Sequence, residues 1–559
     1  MKRTMKKISA IIISIALLIT FMPSASAITT TPSKTNMMSP FAPYPKTITI
    51  TAGRILNRGQ QYAKGESGTK NGYLDLIKKK LNVQIKVVWE TIPQQYNMKL
   101  ALCIAGGNIP DTFIIQGDNM LTFRALIEGQ QLADLTTIYN KCIGGQSANL
   151  LKTINTKEVL KYMTVNNKIY GITQPGNGFN YDMLWVRNDW LKKLDLSVPK
   201  TLDDIKNVAK AFVEKKPGGQ DNTIGLAINP QHPIHRSDSY YSASPVANSV
   251  GSFPYSWIKG KDGKTIYGSI APETKTALGI LAGWYKEGVL DKSFMTLKNI
   301  DEVTPYVNNN QCGMFFGGWW TPWPLADQVK KDPSIEWIPV LAPLNSQGKY
   351  LHTNPLSSPG GQVVSKKCKY PEAVIKAMNV LDEAETFRAY DNDPTILAML
   401  KPSRDAGSGG RTISPFGAAI ANNFNGVIDN AKLVNSYIKT GKVKYNALTI
   451  SNKDYIEGAY QYTKKKDLTN LFQYVGHYGF DLAANLALSP VNADVPDVFM
   501  GDTESMGDLW PAMDALEDQT FVQIISNEKP LSYFDDFVKQ WKKAGGDIIT
   551  KEVQAAVGK

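Results

Sequence analysis

The stretch WVRNDWLKKLDLSVPKTLDDIKNVAKAFVEKKPGG, Trp185 to Gly219, decides how this chain is read. It predicts one helix, a tight loop and a second helix, with Val198-Pro199-Lys200-Thr201 between them. Pro199 has a fixed φ and biases Val198 toward extended geometry, so the first helix must stop before it. Thr201 caps the second helix, and Asp204, three residues on, completes an acidic variant of the capping box. Leu202, Ile205, Val208, Ala209 and Phe212 give that helix an apolar face at three- and four-residue spacing. Trp185 and Trp190 are assigned to the core, as parts of an amphipathic first helix.

Working outward, the preceding segment alternates strand and helix. Thr47–Thr51 is an alternating strand ending at Gly53, and a helix runs through Leu74–Lys80. A second strand covers Val83–Trp89, a second helix Met98–Leu102, and a third strand Thr112–Ile115. This β-α-β-α-β order predicts a mostly parallel sheet flanked by helices. The 559 residues are too many for a single core. Residues 28–45, rich in Thr, Ser and Pro, read as a flexible tether. Residues 1–27 read as a secretory signal: a basic start (Lys2, Arg3, Lys6, Lys7), an apolar run from Ile8 to Phe21, and an Ala25-Ser26-Ala27 cleavage site. Cleavage there lowers the net charge from +12 to +8, by the loss of four cations. The Lys runs at 76–81 and 462–468 read as solvated helix faces, not as nucleic-acid patches.

Arg187–Asp204 spells R-x-D-W-L-x-x-L-x-L-x-x-P-x-T-x-x-D, which resembles extracellular solute-binding proteins of ABC sugar transporters, in their long oligosaccharide-receptor subgroup. Other segments resemble the same family in order: Gly106-Gly-Asn-Ile-Pro-Asp111, the 129–135 run GQQLADL, and Asn166–Gly171. Further on come Trp284–Asp291, Cys312–Trp320, Tyr370–Ala373 and the Leu516–Glu552 run. The resemblance implies a type II periplasmic-binding-protein-like α/β fold, with two discontinuous α/β lobes joined by a hinge. The expected allotment is 46–175 plus about 305–360 for the N-terminal lobe, and 176–304 plus about 361–559 for the C-terminal lobe. Chain crossings are expected near 174–180, 300–310 and 355–365. The implied function is capture of a carbohydrate between the lobes and its delivery to ABC permease subunits by a monomeric, secreted, envelope-associated protein. Relatives in Gram-positive bacteria usually carry a lipid-accepting Cys after the signal; here the first Cys is Cys103, so the expected form lacks lipid. Relatives also carry an acidic calcium loop, but Lys216 stands at its first ligand position and Asp221 is its one carboxylate, so the site is not carried over.

The residues offer no catalytic template. G-x-S-x-G does not occur, and Asp262-Gly263 reads as a hairpin turn rather than part of a phosphate loop. His232 and His235 flank Pro233 in a loop, which argues against a metal pair. Cys103, Cys142, Cys312 and Cys368 have no metal-like spacing, and either a disulfide or buried free thiols fit them. No catalytic residue, cofactor or metal is therefore expected. What remains is binding chemistry: aromatic faces for sugar C–H surfaces and fixed polar groups for hydroxyls, placed at strand ends. The candidates are Arg54, Gln116, Asp118, Asn119, Asn177, Tyr181, Arg187, Trp257, Trp319, Trp320 and Trp323. A secreted carbohydrate-active enzyme and a non-transport accessory or sensor protein are the alternatives.

Overall fold

In the computed structural model, the residues described are 37–56, 60–154, 156–173, 179, 181–235, 240–353, 360–417, 419–420, 423, 425–446, 448–468 and 470–558, without the side chains of 118 and 158. The expected signal, the tether up to residue 36 and Asn177 lie outside them. The chain begins with β1 (Ile48–Ile55), α1 (Gly72–Leu81), β2 (Val83–Thr91), α2 (Pro93–Ala105), β3 (Thr112–Ile115), α3 (Met120–Glu128) and β4 (Gly171–Ile172). It continues through β5 (Met183–Arg187), α4 (Asn188–Lys193), α5 (Leu202–Lys215), the β6–β7 hairpin (Trp257–Lys259, Thr265–Tyr267) and α6 (Pro272–Lys286). Then follow β8 (Met314–Gly317), α7 (Pro322–Lys331), β9 (Trp337–Val340), β10 (Tyr350–His352), β11 (Gly361–Val364), α8 (Pro371–Leu381), β12 (Asn492–Asp494), α9 (Met506–Ile525) and α10 (Asp547–Ala556).

Two principal sheets organise these elements. The first has the order β2-β1-β3-β11-β4, with β1 parallel to β2 and β3, and β11 antiparallel to β3 and β4. Its core gathers Ile50, Leu76, Ile77 and Leu81 with Val374 and Met378 of α8. The second has the order β8-β5-β9, antiparallel throughout.

This pairing corrects two expectations. Met183–Arg187 is a strand, not the start of a helix, and the first helix is confined to Asn188–Lys193. All five strand residues are buried between β8 and β9, so Trp185 is a core residue for a different reason than the one its helical reading supplied. The lobe allotment is also reversed for two segments. β8 and β9, within the expected 305–360 portion of the first lobe, pair with β5 in the second. β11 and α8, expected in the second lobe, belong to the first. No crossing occurs at 300–310: Ile300–Asn308 is a helix whose Val303 and Val307 sit in the second-lobe core. The decisive contacts join strands far apart in sequence, and these strands are short and largely apolar, so no local pattern marks a partner.

The second half of the opening stretch is as predicted. Thr201 Oγ1 accepts from the Asp204 N–H at 3.1 Å, and the Asp204 carboxylate accepts from the Thr201 N–H at 2.9 Å. Ile205, Val208, Ala209 and Phe212 are buried. Thr201→Ala removes one half of this reciprocal cap and is expected to lower stability by about 1 kcal/mol, read as a shifted denaturant midpoint. The four cysteines are free thiols, and burial pushes those of Cys142 and Cys312 up to about 11 and about 12, well into the protonated range at neutral pH.

Candidate functional site

A groove opens between the lobes where β3 ends. On the first-lobe side, Ile115 leads through Gln116 and Gly117 into α3. On the second-lobe side stand β6, the 498–502 segment and the start of α9; Val498 N–H bonds to the Trp257 carbonyl and ties that segment to β6. Two adjoining cavities fill the groove. One, of about 350 Å³, is bordered by Gly117, Leu121, Trp257, Trp510 and Asp514. The other, of about 670 Å³, is bordered by Phe123, Arg124, Lys161, Tyr162, Lys259 and Asp502. They share Met120, Phe499, Gly501 and Asp502. The lobes touch here: Arg124 donates to the Asp502 carbonyl at 2.6 Å, and the Met500 N–H donates to the Tyr162 hydroxyl at 3.1 Å.

The aromatic wall has a local origin. Trp510 on α9 is half-buried, with its ring edge-on to Tyr267 at 5.2 Å and tilted against Trp257 at 6.3 Å. Beneath this wall the Tyr267 hydroxyl donates to the buried Glu517 at 3.0 Å. Burial raises the Glu517 carboxyl well above its ordinary value. Burial likewise raises Asp502, against the opposing pull of Arg124.

A second cluster lies where the chain crosses between lobes. Tyr181, just before β5, stacks on His352 at the end of β10, with ring centroids 3.7 Å apart and planes 18° apart. Phe179 meets Tyr181 edge-on at 4.3 Å, and the Tyr350 hydroxyl donates to the Asp182 carbonyl. Burial lowers the His352 pKa to about 3, so the ring is neutral at physiological pH and its 3.5 Å approach to Asp494 is not an ion pair there. Trp319 and Trp320 follow β8, whose last residue Gly317 pairs with Met183, so their turn lies at the crossing end of the second sheet. Trp319 packs on Phe480 at 5.2 Å and on Trp323 at 5.7 Å. Trp320 meets Trp319 edge-on at 6.0 Å and folds over Gly318.

The sequence candidates therefore divide. Trp257 borders the smaller cavity from an almost wholly buried position, and Gln116 adjoins it, half-buried, with a side-chain carbonyl that has no hydrogen-bond partner. Tyr181, Trp319, Trp320 and Trp323 gather at the crossing end, with the Trp323 indole donating to the Tyr455 hydroxyl at 3.3 Å. Asn119 is taken up locally, donating to Asn97 at 3.1 Å and accepting from Thr122 at 2.6 Å. The side chain of Asp118 lies outside the described residues, as does Asn177. Two candidates are structural rather than cleft residues. Arg54 is 1% exposed, paired with Glu90 at 2.7 Å and bonded to the Thr412 carbonyl at 2.9 Å. Arg187 is 2% exposed, holds Asp189 through two nitrogens, and lies over Trp190 at 4.6 Å. Arg54 lies near the end of β1 and Arg187 is the last residue of β5, and both turn inward.

Sequence reasoning missed Trp510, Asp514, Asp502, Arg124, Tyr162, Lys161 and Lys259. Met506, Trp510 and Met513 read as an ordinary amphipathic face. Only the packing of α9 against β6 shows that Trp510 stops at a cavity. In the 216–225 segment, the Lys216 ammonium donates to Asp221 at 2.8 Å. His232, one of the loop histidines, pairs with Asp518 at 2.9 Å.

The sequence profile described as "Bacterial extracellular solute-binding protein" matches residues 65–386. Lipoprotein LipO of Bacillus subtilis (strain 168) is 24% identical over 497 residues, 87% of this chain and 88% of LipO. Among solved structures, an EF-hand mutant of the S. pneumoniae ABC-transporter substrate-binding protein FusA in complex with fructo-nystose superposes with a TM-score of 0.63. It is 14% identical, over 91% of this chain and 99% of that one. The alginate-binding protein AlgQ2, solved without calcium ion, superposes with a TM-score of 0.60 at 18% identity, over 92% of this chain and 99% of that one. These likenesses identify the two-lobed α/β architecture as the type II periplasmic-binding-protein fold. With that fold, a groove between its lobes and a profile match over more than half its length, the chain belongs to the bacterial extracellular solute-binding proteins.

Proposed function

We propose that this protein captures an oligosaccharide in the interlobe groove and delivers it to the permease of an ABC transporter, acting as a monomer outside the cell. The observation that carries the reading is the pair of adjoining cavities, walled by Trp257, Trp510, Tyr162 and Phe499 and reached by residues of both lobes. Aromatic faces suit pyranose C–H surfaces, and a ligand touched by both lobes favours the closed state. The FusA structure, which holds fructo-nystose, supports the saccharide class. In this reading the first lobe comprises about 46–173 plus 360–420 and the second about 181–353 plus 425–558, following the strand pairing. The groove binds without transforming its ligand.

The test is a thermal-shift screen of the mature protein against neutral and acidic oligosaccharides, followed by solution scattering with the best hit. Binding to the folded state alone raises the melting temperature, and closure lowers the radius of gyration. No shift with any saccharide, or an unchanged radius at saturation, overturns the receptor reading. Asp502 and Asp514 border one cavity and are the pair that a hydrolytic reading needs. Recovery of the bound oligosaccharide uncut is the expected result, and its cleavage would make the protein an enzyme.

A further inference from the structure

We infer that the oligosaccharide taken by the groove is acidic, with its carboxylates received in the larger cavity by Arg124, Lys161 and Lys259. This rests on the saccharide reading above and narrows it to one chemical class.

The three cations come from separate segments and from both lobes: Arg124 from α3, Lys161 from just before the 164–169 hairpin, and Lys259 from the end of β6. Against them the larger cavity sets one acidic side chain, Asp502. Burial raises the carboxyl of Asp502 against the pull of Arg124, and its Oδ2 has no hydrogen-bond partner. Arg124 is half-buried, yet its guanidinium donates to a neutral backbone carbonyl, and among the described residues neither Arg124 nor Lys259 has a carboxylate in direct ion-pair contact. A half-buried guanidinium with no carboxylate in direct contact keeps donors that a ligand carboxylate, with its two parallel acceptors, can take up. Lys161 and Lys259 are exposed at the cavity mouth, where lysines alone would be ordinary solvated charge; their convergence with Arg124 on one cavity is what distinguishes them. Phe123, Tyr162 and Phe499 line the same cavity and supply flat apolar surface for the sugar rings that carry the acids. An anion held by Arg124 of the first lobe and Lys259 of the second would be bound better by the closed state than by either lobe alone. The net charge of +8 expected after loss of residues 1–27 would draw such a ligand in.

The experiment is calorimetric titration of the mature protein with tetramers of galacturonate, mannuronate and glucuronate, with the methyl ester of each, and with neutral tetrasaccharides, at low and high salt. At least one acid tetramer is expected to bind. Its ester, the same sugar without charge, should bind about tenfold or more weakly, and salt should weaken the acid alone. Arg124→Met and Lys259→Met should each weaken the acid by about tenfold, with circular dichroism and melting unchanged. An ester or neutral sugar bound as tightly as any acid overturns the acidic class and leaves the saccharide reading standing. Absence of binding across the whole panel overturns both. Acid binding unaffected by the two substitutions overturns the placement in this cavity.

Discussion

Trp320→Ala is expected to weaken oligosaccharide binding by about tenfold to a hundredfold with little change in stability, whereas Trp319→Ala is expected to cost about 2–4 kcal/mol of stability. The two neighbours differ in what surrounds them. Trp319 is enclosed by Phe480, Trp323 and Trp320, and its indole N–H is buried without a partner, so truncation opens a void against the second-lobe core. Trp320 is half-buried like Trp319 but has one aromatic neighbour, with Gly318 beneath it, at the crossing end of the sheet. An indole face stacked on a sugar ring adds on the order of 1 kcal/mol beyond its buried area. Denaturant melts and calorimetry on both variants separate the roles. Unchanged affinity in a stable Trp320→Ala protein would remove the turn from the site, and an undiminished midpoint for Trp319→Ala would remove Trp319 from the core.

Acid is expected to weaken the fold through His352. Its folded-state value is about 3, against 6.5 for an unperturbed imidazole. Between these values the unfolded chain takes up a proton that the buried ring refuses. Stability therefore falls as pH drops from about 6.5 toward 3, and by pH 4.5 this one residue contributes about 3 kcal/mol of the loss. Asp494, 3.5 Å away, has a carboxyl that burial raises, and it acts with the opposite slope: it favours the folded state as pH falls. The hydroxyls of Tyr181 and Tyr350, raised by burial, do not titrate in this range. Denaturant midpoints for wild type and His352→Gln, compared from pH 7 to pH 4.5, give the result. The variant's curve should be flatter, and parallel curves would show that the ring takes up a proton without cost.

Much of the first lobe was legible because its elements are sequential. The strands at Val83 and Thr112 alternate with helices whose ends carry turn residues, and they pair with β1 close by in sequence. The capping box at Thr201 was legible because both its hydrogen bonds are local. Met183–Arg187 was not. A five-residue run, apolar in its first four positions and buried on both faces, has no periodicity to separate strand from helix, and its partners at Met314 and Trp337 are more than a hundred residues away. The same non-local pairing misplaced the 305–360 segment. At the site, residue type and strand-end position were enough to select Tyr181, Gln116 and the Trp319–Trp320 turn. The same signal selected Arg54, and Arg187 was taken from the opening helix, because nothing local distinguishes an arginine facing a cleft from one folded back onto Glu90 or Asp189. Trp510 and Arg124 became visible only when helices from opposite lobes were brought face to face.

One strand also sets the order in which the molecule can be assembled. β11 lies between β3 and β4, and it enters through Gly360, whose φ is 95° and where a Cβ would stand 2.5 Å from the Ile115 carbonyl oxygen. β4, at 171–172, consequently has no neighbour until residues 361–364 have left the ribosome. During synthesis of the intervening stretch the first sheet has an unfilled slot and two incomplete edges, while β8, β5 and β9 can already zip together. Pairing at such a separation is slow to nucleate. For export in the unfolded state, the route served by a signal such as the one read at residues 1–27, this topology supplies a delay, since the leading lobe has no finished native state to fall into until most of the polypeptide has been made.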